Sequence, residues 1–230
     1  MTPDVTFECL LVSNDPAVLS TIDPLLHDLS IKTNVCPNAS NLGKLRGEGA
    51  PNLVVIDLES VHCSELLQEL TGAQTKQKPT ILAVSATDCA VPGVHVILRK
   101  PVTAESGLRS LKNAYSRMLR DFRQHTRFAL MKSVLASDED NGVLPLTITN
   151  IGSGGVGIAT NERLAIGSTL SFNLGLPGLE NTISVRARVL WARESGVGGC
   201  KFVHVPAFDT QLLHAWLESR YRIKKPLISV

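Results

Sequence analysis

Two hydrophobic periods divide the chain. In the first hundred residues short β-branched runs recur, "FECLLV" (7–12), "TNVC" (33–36), "LVVIDL" (53–58), "TILAV" (80–84) and "VHVIL" (94–98), with segments of helical spacing between them. Near-continuous apolar strands alternating with helices indicate a parallel sheet covered on both faces, a doubly wound α/β arrangement. Asp15-Pro16 opens the first helix as N-cap and first-turn proline, and Asp23-Pro24 is expected to kink it midway. "SELLQEL" (64–70) and a long run from Thr103 carry further helices.

From Gly142 onward the period becomes two. Leu144, Leu146 and Ile148 share one face; so do Leu170, Phe172 and Leu174, and again Ile183, Val185, Ala187, Val189 and Trp191. Such alternation indicates antiparallel strands with one buried face. The turn-rich stretches 137–142, 176–181 and 194–199 space them as in a small barrel or sandwich. A last amphipathic helix, with Leu212, Leu213, Trp216 and Leu217 on one side, is expected to cover one end of it.

The change of period sets the domain reading: an α/β domain over 1–118 and a β-rich domain over 119–230, joined by a helix over about 103–122 that links the first domain rigidly to Arg123. Along that helix Leu108, Leu111, Tyr115, Met118 and Phe122 follow at spacings of three and four, a heptad-like seam. The seam suits either packing on the domain's own sheet or a homodimer contact. With 230 residues, 43% of them hydrophobic, the chain is long enough for two cores.

Charge refines this picture only slightly. Residues 1–118 hold ten Lys/Arg against twelve Asp/Glu, and residues 119–230 hold thirteen against nine, so an anionic ligand belongs with the second half. The excess is too small for a nucleic-acid polymer as partner. Cys9, Cys36, Cys63, Cys89 and Cys200 are scattered, without CxxC spacing, and read as reduced thiols rather than a disulfide frame or a metal site. His125, His204 and His214 lack acidic or cysteine partners at ligand spacing, so no metal site is expected. No run approaches eighteen apolar residues and no basic-then-apolar leader opens the chain, so a cytoplasmic protein with no membrane partner is expected.

In doubly wound sheets chemistry gathers at the carboxyl ends of the strands. Here those ends read Ser13-Asn14-Asp15, Asp57, Ser85 and Lys100-Pro101. The set resembles the receiver domain of two-component response regulators over roughly residues 5–118. The resemblance implies a phosphoacceptor at Asp57, with Ser85 and Lys100 beside it. Ser13 and Asn14 stand where that family has the acidic pair that holds Mg²⁺, and only fourteen residues separate Ser85 from Lys100, too few for the family's usual helix as well as a strand. A degenerate receiver with a vestigial site at Asp57, Ser85 and Lys100 is therefore expected; a strand-end aspartate that merely caps its turn is the other reading of Asp57.

In the second half Arg123 and Arg127 precede the first β-like segment, and "TNIGSGGVGI" (149–158) follows it. RxxxR before a barrel, followed by a glycine-rich Asn motif, resembles the PilZ domain, a six-stranded barrel that binds the bacterial second messenger cyclic di-GMP. The later "VRARVLW" and "GCKFVHV" look like further strands of that family, so the resemblance spans about 119–222. It implies a ligand site of Arg123, Gln124, Arg127, Asn150, Gly152, Ser153, Gly154 and Gly155. The chemistry suits these residues, since guanidinium groups fork onto phosphate oxygens and onto guanine O6 and N7, and stack on flat rings. Gly152 stands where the motif has serine, so Gly152→Ser is expected to tighten binding by about 1 kcal/mol where φ is negative. Phe122 occupies a place where many relatives have another arginine. Two exposed arginines by a helix end also complement its dipole, and a glycine-rich run also makes a tight turn.

The expectation is thus a non-enzymatic, cofactor-free bacterial regulator that binds cyclic di-GMP through a PilZ domain and acts on an unidentified protein partner. Two readings stay open beside it: an interaction module that does not bind the nucleotide, and a response regulator switched at Asp57.

Overall fold

The computed structural model describes residues 4–37, 51–60, 63–72, 78–87, 90–139 and 142–228. Cys89 and part of the 137–142 turn lie outside them. The chain separates into two compact units, one of Asp4–Asp121 with the segment that begins at Ile223, the other of Phe122–Arg222.

The first unit begins with the short strand β1 (Asp4–Val5), followed by β2 (Glu8–Val12), α1 (Pro16–Asp28), β3 (Lys32–Cys36), β4 (Leu53–Asp57), α2 (Cys63–Gly72), β5 (Thr80–Ser85) and β6 (Val96–Arg99). Helix α3 (Ala104–His125) then ends in the second unit. Strands β3-β2-β4-β5-β6 form one sheet in that order, every pair parallel. All residues of β4 and β5 are buried, which is why "LVVID" and "TILAVS" show no polar alternation. On one face Leu10, Val12, Val54, Ile56, Ile81 and Ala83 pack with Leu66 and Leu67 of α2.

Asp15 caps α1 as expected, its carboxylate accepting from the Ala17 N–H at 2.9 Å. Pro24, however, does not interrupt the helix, which runs on to Asp28. Pro24 and Ser20 both lie on the exposed side of the helix, while Val18, Ile22 and Leu26 keep the buried stripe. Among the described residues between Ser85 and Lys100 the one regular element is β6. Along α3, Leu111, Tyr115 and Met118 are buried and Tyr115 meets Phe7 edge-on, so this part of the heptad-like seam is covered within the chain.

The second unit is a closed barrel of six antiparallel strands in the order β10-β11-β12-β9-β8-β7. They are β7 (Phe128–Ser137), β8 (Val143–Gly152), β9 (Gly155–Ala159), β10 (Thr169–Gly175), β11 (Thr182–Ala192) and β12 (Val197–His204). Helix α4 (Ala207–Glu218) and the two-residue strand β13 (Arg222–Ile223) follow. Leu146, Ile148, Leu170, Phe172, Leu174, Ile183, Val185, Ala187 and Val189 fill the core, and α4 adds Leu213, Trp216 and Leu217. Trp191 departs from the expected alternation. A register shift between Val189 and Trp191 turns it outward, 46% exposed and opposite Gly199, where the absence of a Cβ lets the indole lie against the neighbouring strand.

Candidate functional site

The strand ends of the first unit bring together the residues expected there. Asp57, at the end of β4, is 1% exposed. Its Oδ2 accepts from Ser13 Oγ at 2.9 Å and Lys100 Nζ at 3.0 Å; its Oδ1 lies 3.0 Å from the same ammonium and accepts from the Glu59 N–H at 3.2 Å. Lys100 also meets Asp15 Oδ2 at 3.2 Å and Glu59 Oε2 at 3.1 Å, so one ammonium serves three carboxylates. The Ser85 hydroxyl makes its hydrogen bonds elsewhere than to Asp57. It donates to Glu59 Oε1 at 3.2 Å and accepts from the Thr87 N–H.

These partners shift the titrations in opposite directions. Burial would lower the Lys100 pKa, but hydrogen bonds to Asp57, Glu59 and Asp15 outweigh it and raise the pKa above the ordinary lysine value. Burial likewise works against the Glu59 carboxylate, yet the Ala86 N–H and Lys100 bring its pKa down to about 2. The Asp15 carboxyl is held below its usual range first by the Ala17 N–H and then by Lys100. The donor set does not fit Mg²⁺. Ser13 donates its proton to Asp57, the Asn14 side-chain oxygen accepts from Ser60 at 3.3 Å, and the carboxylates converge on Lys100. Glu59, which completes this arrangement, was not anticipated; its position two residues beyond Asp57 in a turn was the only signal.

In the second unit the arginine segment and the glycine-rich segment meet. Arg123 lies in the last turn of α3, where a cation favours the helix dipole, and Ser153 Oγ donates to its carbonyl oxygen at 3.0 Å. Arg127 Nη1 donates to the Gly155 carbonyl at 2.5 Å, and burial lowers its pKa from the ordinary value. Two side-chain hydrogen bonds to backbone therefore clasp segments 28 and 30 residues apart. Gln124 and Gly154 are exposed. Asn150 is half-buried, its amide donating to Thr149 Oγ1 at 3.2 Å and lying where a Cβ on Gly157 would stand.

Gly152 has no room for a side chain. Its φ is not in the left-handed region, but a Cβ there would stand 2.8 Å from the Thr126 carbonyl oxygen and 2.8 Å from Arg127 Cδ. The serine of the motif is thus excluded by the path of Thr126 and Arg127. Phe122 also has a local role. Its ring meets Tyr221 edge-on at 5.1 Å, and Tyr221 is stacked on Phe128 with the rings 9° apart, so these aromatics hold the lead-in to β7.

Arg123 and Ser153 line a cavity of about 140 Å³ together with Phe128, His214, Glu218 and Tyr221, among others. The Arg123 guanidinium is 52% exposed and pairs with Glu218 Oε1 at 3.1 Å. Arg127, Asn150 and Gly155 do not line this cavity. The α4 residues were missed in the sequence because their helical face was read only for its apolar positions.

Residues 121–219 match the family model described as PilZ domain. No curated protein matches the chain. Among solved structures, a CheY-like receiver domain from Methylobacillus flagellatus is 18% identical, over 50% of this chain and 99% of that one, with a TM-score of 0.42. The inhibitor of motility of Bacillus subtilis is 22% identical, over 43% of this chain and 50% of that one, TM-score 0.36. The PlzA protein of Borreliella burgdorferi, in complex with c-di-GMP, is 14% identical, over 52% of this chain and 50% of that one, TM-score 0.34.

Proposed function

We propose that this chain is a cyclic di-GMP-responsive regulatory protein whose PilZ domain takes the nucleotide at Arg123 and the loop from Asn150 to Gly155. The observation that carries this reading is the clasp between the two segments, with Ser153 on the Arg123 carbonyl and Arg127 on the Gly155 carbonyl. It leaves the Arg123 guanidinium half-exposed at the rim of a cavity with aromatic walls, a setting suited to an anion joined to a flat base. Arg127 is the latch that shapes the loop, and Arg123 makes the ligand contact. Gln124 and Ser153 supply polar groups beside it and Gly154 an exposed stretch of backbone, while the buried Gly152 and Gly155 let the loop pass close to Thr126 and Cys200, and Asn150 stands in the loop outside the Arg123 cavity. Asp57, Ser85 and Lys100 are a retired phosphoacceptor site, and the first unit serves as a scaffold or a contact surface for a protein partner.

Isothermal titration of the full chain with cyclic di-GMP, cyclic di-AMP and GMP tests this reading. Saturable heat with cyclic di-GMP and at least tenfold weaker binding of the other two supports it; three flat titrations overturn it in favour of the interaction module.

A further inference from the structure

Glu218 is the last residue of α4, and no basic residue lies in that last turn. A carboxylate there faces the negative end of the helix dipole, so the helix itself gains nothing from it. What Glu218 does meet is the Arg123 guanidinium at 3.1 Å, with both side chains about half exposed and both lining the same cavity. Arg123, by contrast, sits at a helix end that favours a cation, with its backbone tied down by Ser153. The arginine therefore has a fixed base, and among the described residues its carboxylate partner is Glu218, from a helix end that does not need that charge.

We infer that Glu218 is an internal competitor of the ligand. Its carboxylate occupies the guanidinium where a phosphodiester oxygen of a nucleotide would bind, and the ligand must displace it. Glu218 Oε1 lies on Arg123 Nη2, and a phosphate oxygen that forks onto the edge containing that nitrogen needs the same N–H donor, so the two cannot hold that edge at once. The pair is a solvent-exposed ion pair, weak enough to exchange. Glu218 would thus set the affinity of the site without touching the bound nucleotide. The inference rests on the reading that Arg123 contacts cyclic di-GMP.

The test is cyclic di-GMP affinity of the full chain as wild type, Glu218→Gln, Glu218→Ala, Arg123→Ala and the Arg123→Ala/Glu218→Ala double variant. Both single Glu218 variants are expected to bind roughly two- to fivefold tighter, the range of an exposed ion pair, and the gain is expected to vanish in the Arg123→Ala background. Weaker binding by Glu218→Gln overturns the inference, because Glu218 is then itself a ligand contact. An equal gain without Arg123 also overturns it, leaving only general charge repulsion. Wild-type binding with unchanged affinity in the Glu218 variants removes the inference alone. Absence of binding by all five proteins removes the functional reading and the inference with it.

Discussion

Lys100 and Arg123 are the central cations of two sites built on opposite plans. Lys100 is 20% exposed and faces three carboxylates, one of them on the fully buried Asp57. Arg123 is 52% exposed and faces one carboxylate that is equally exposed. Among the described residues at these strand ends, Asp57, Glu59 and Asp15 all engage Lys100, so an incoming phosphoryl group would have to displace them, the buried Asp57 among them, to reach that cation. In the second unit the pair is exposed, so its arginine is held only by a weak, exchangeable partner, as the proposed nucleotide site requires. The two clusters thus differ in whether their counter-charges are buried and shared or exposed and exchangeable, and only the second kind leaves a cation open to an incoming anion.

The largest effect that probes this contrast is on stability. Lys100→Met leaves Asp57 buried without its cation and should cost about 3–5 kcal/mol in urea unfolding of the first unit. Adding Asp57→Asn to that variant should recover a large part of the loss, whereas a cost near that of a surface substitution would show that the network is not closed. At the open site, Arg123→Ala should leave stability nearly unchanged and weaken cyclic di-GMP binding by about 1.5–3 kcal/mol, the worth of a hydrogen bond to a charged group. Unaltered affinity in that variant would remove Arg123 from the site.

Gly152→Ser gives a smaller effect, opposite to what the motif alone suggests. Fitting a side chain against the Thr126 carbonyl should destabilise the second unit by about 1–3 kcal/mol without tightening the nucleotide; a variant that binds better and melts no lower would refute the geometry. The smallest expected effect is with pH. Glu59 and Asp15 have folded-state pKa values below their unfolded ones, so their contribution is present above about pH 4.5 and is lost as pH falls towards the Glu59 value of about 2. Thermal melts should fall across that window in wild type and less steeply in Glu59→Gln.

Much of this architecture was legible because burial imposes a period. β4 and β5, buried throughout, read as unbroken apolar runs, and β8, β10 and β11 alternate because one face meets the barrel core. A period carries no information about where it slips, so the bulge that turns Trp191 outward was invisible. Nor does the sequence alone say that the helix continues through Pro24, which stands at an exposed position of α1. At the sites, the motif residues were readable one by one, but their partners were not. Glu59 reaches Lys100 through a turn, and Glu218 reaches Arg123 from a helix whose sequence describes only its own apolar face.

The most direct test of the contrast is a nuclear magnetic resonance titration of the full chain with cyclic di-GMP, following backbone amides of both units together. Saturable shifts concentrated at residues 123–128 and 150–155, with residues 57–60 and the Ser85 and Lys100 amides unmoved, are the predicted result. Shifts centred on Asp57 and Lys100, or none near Arg123 at saturating nucleotide, would contradict it.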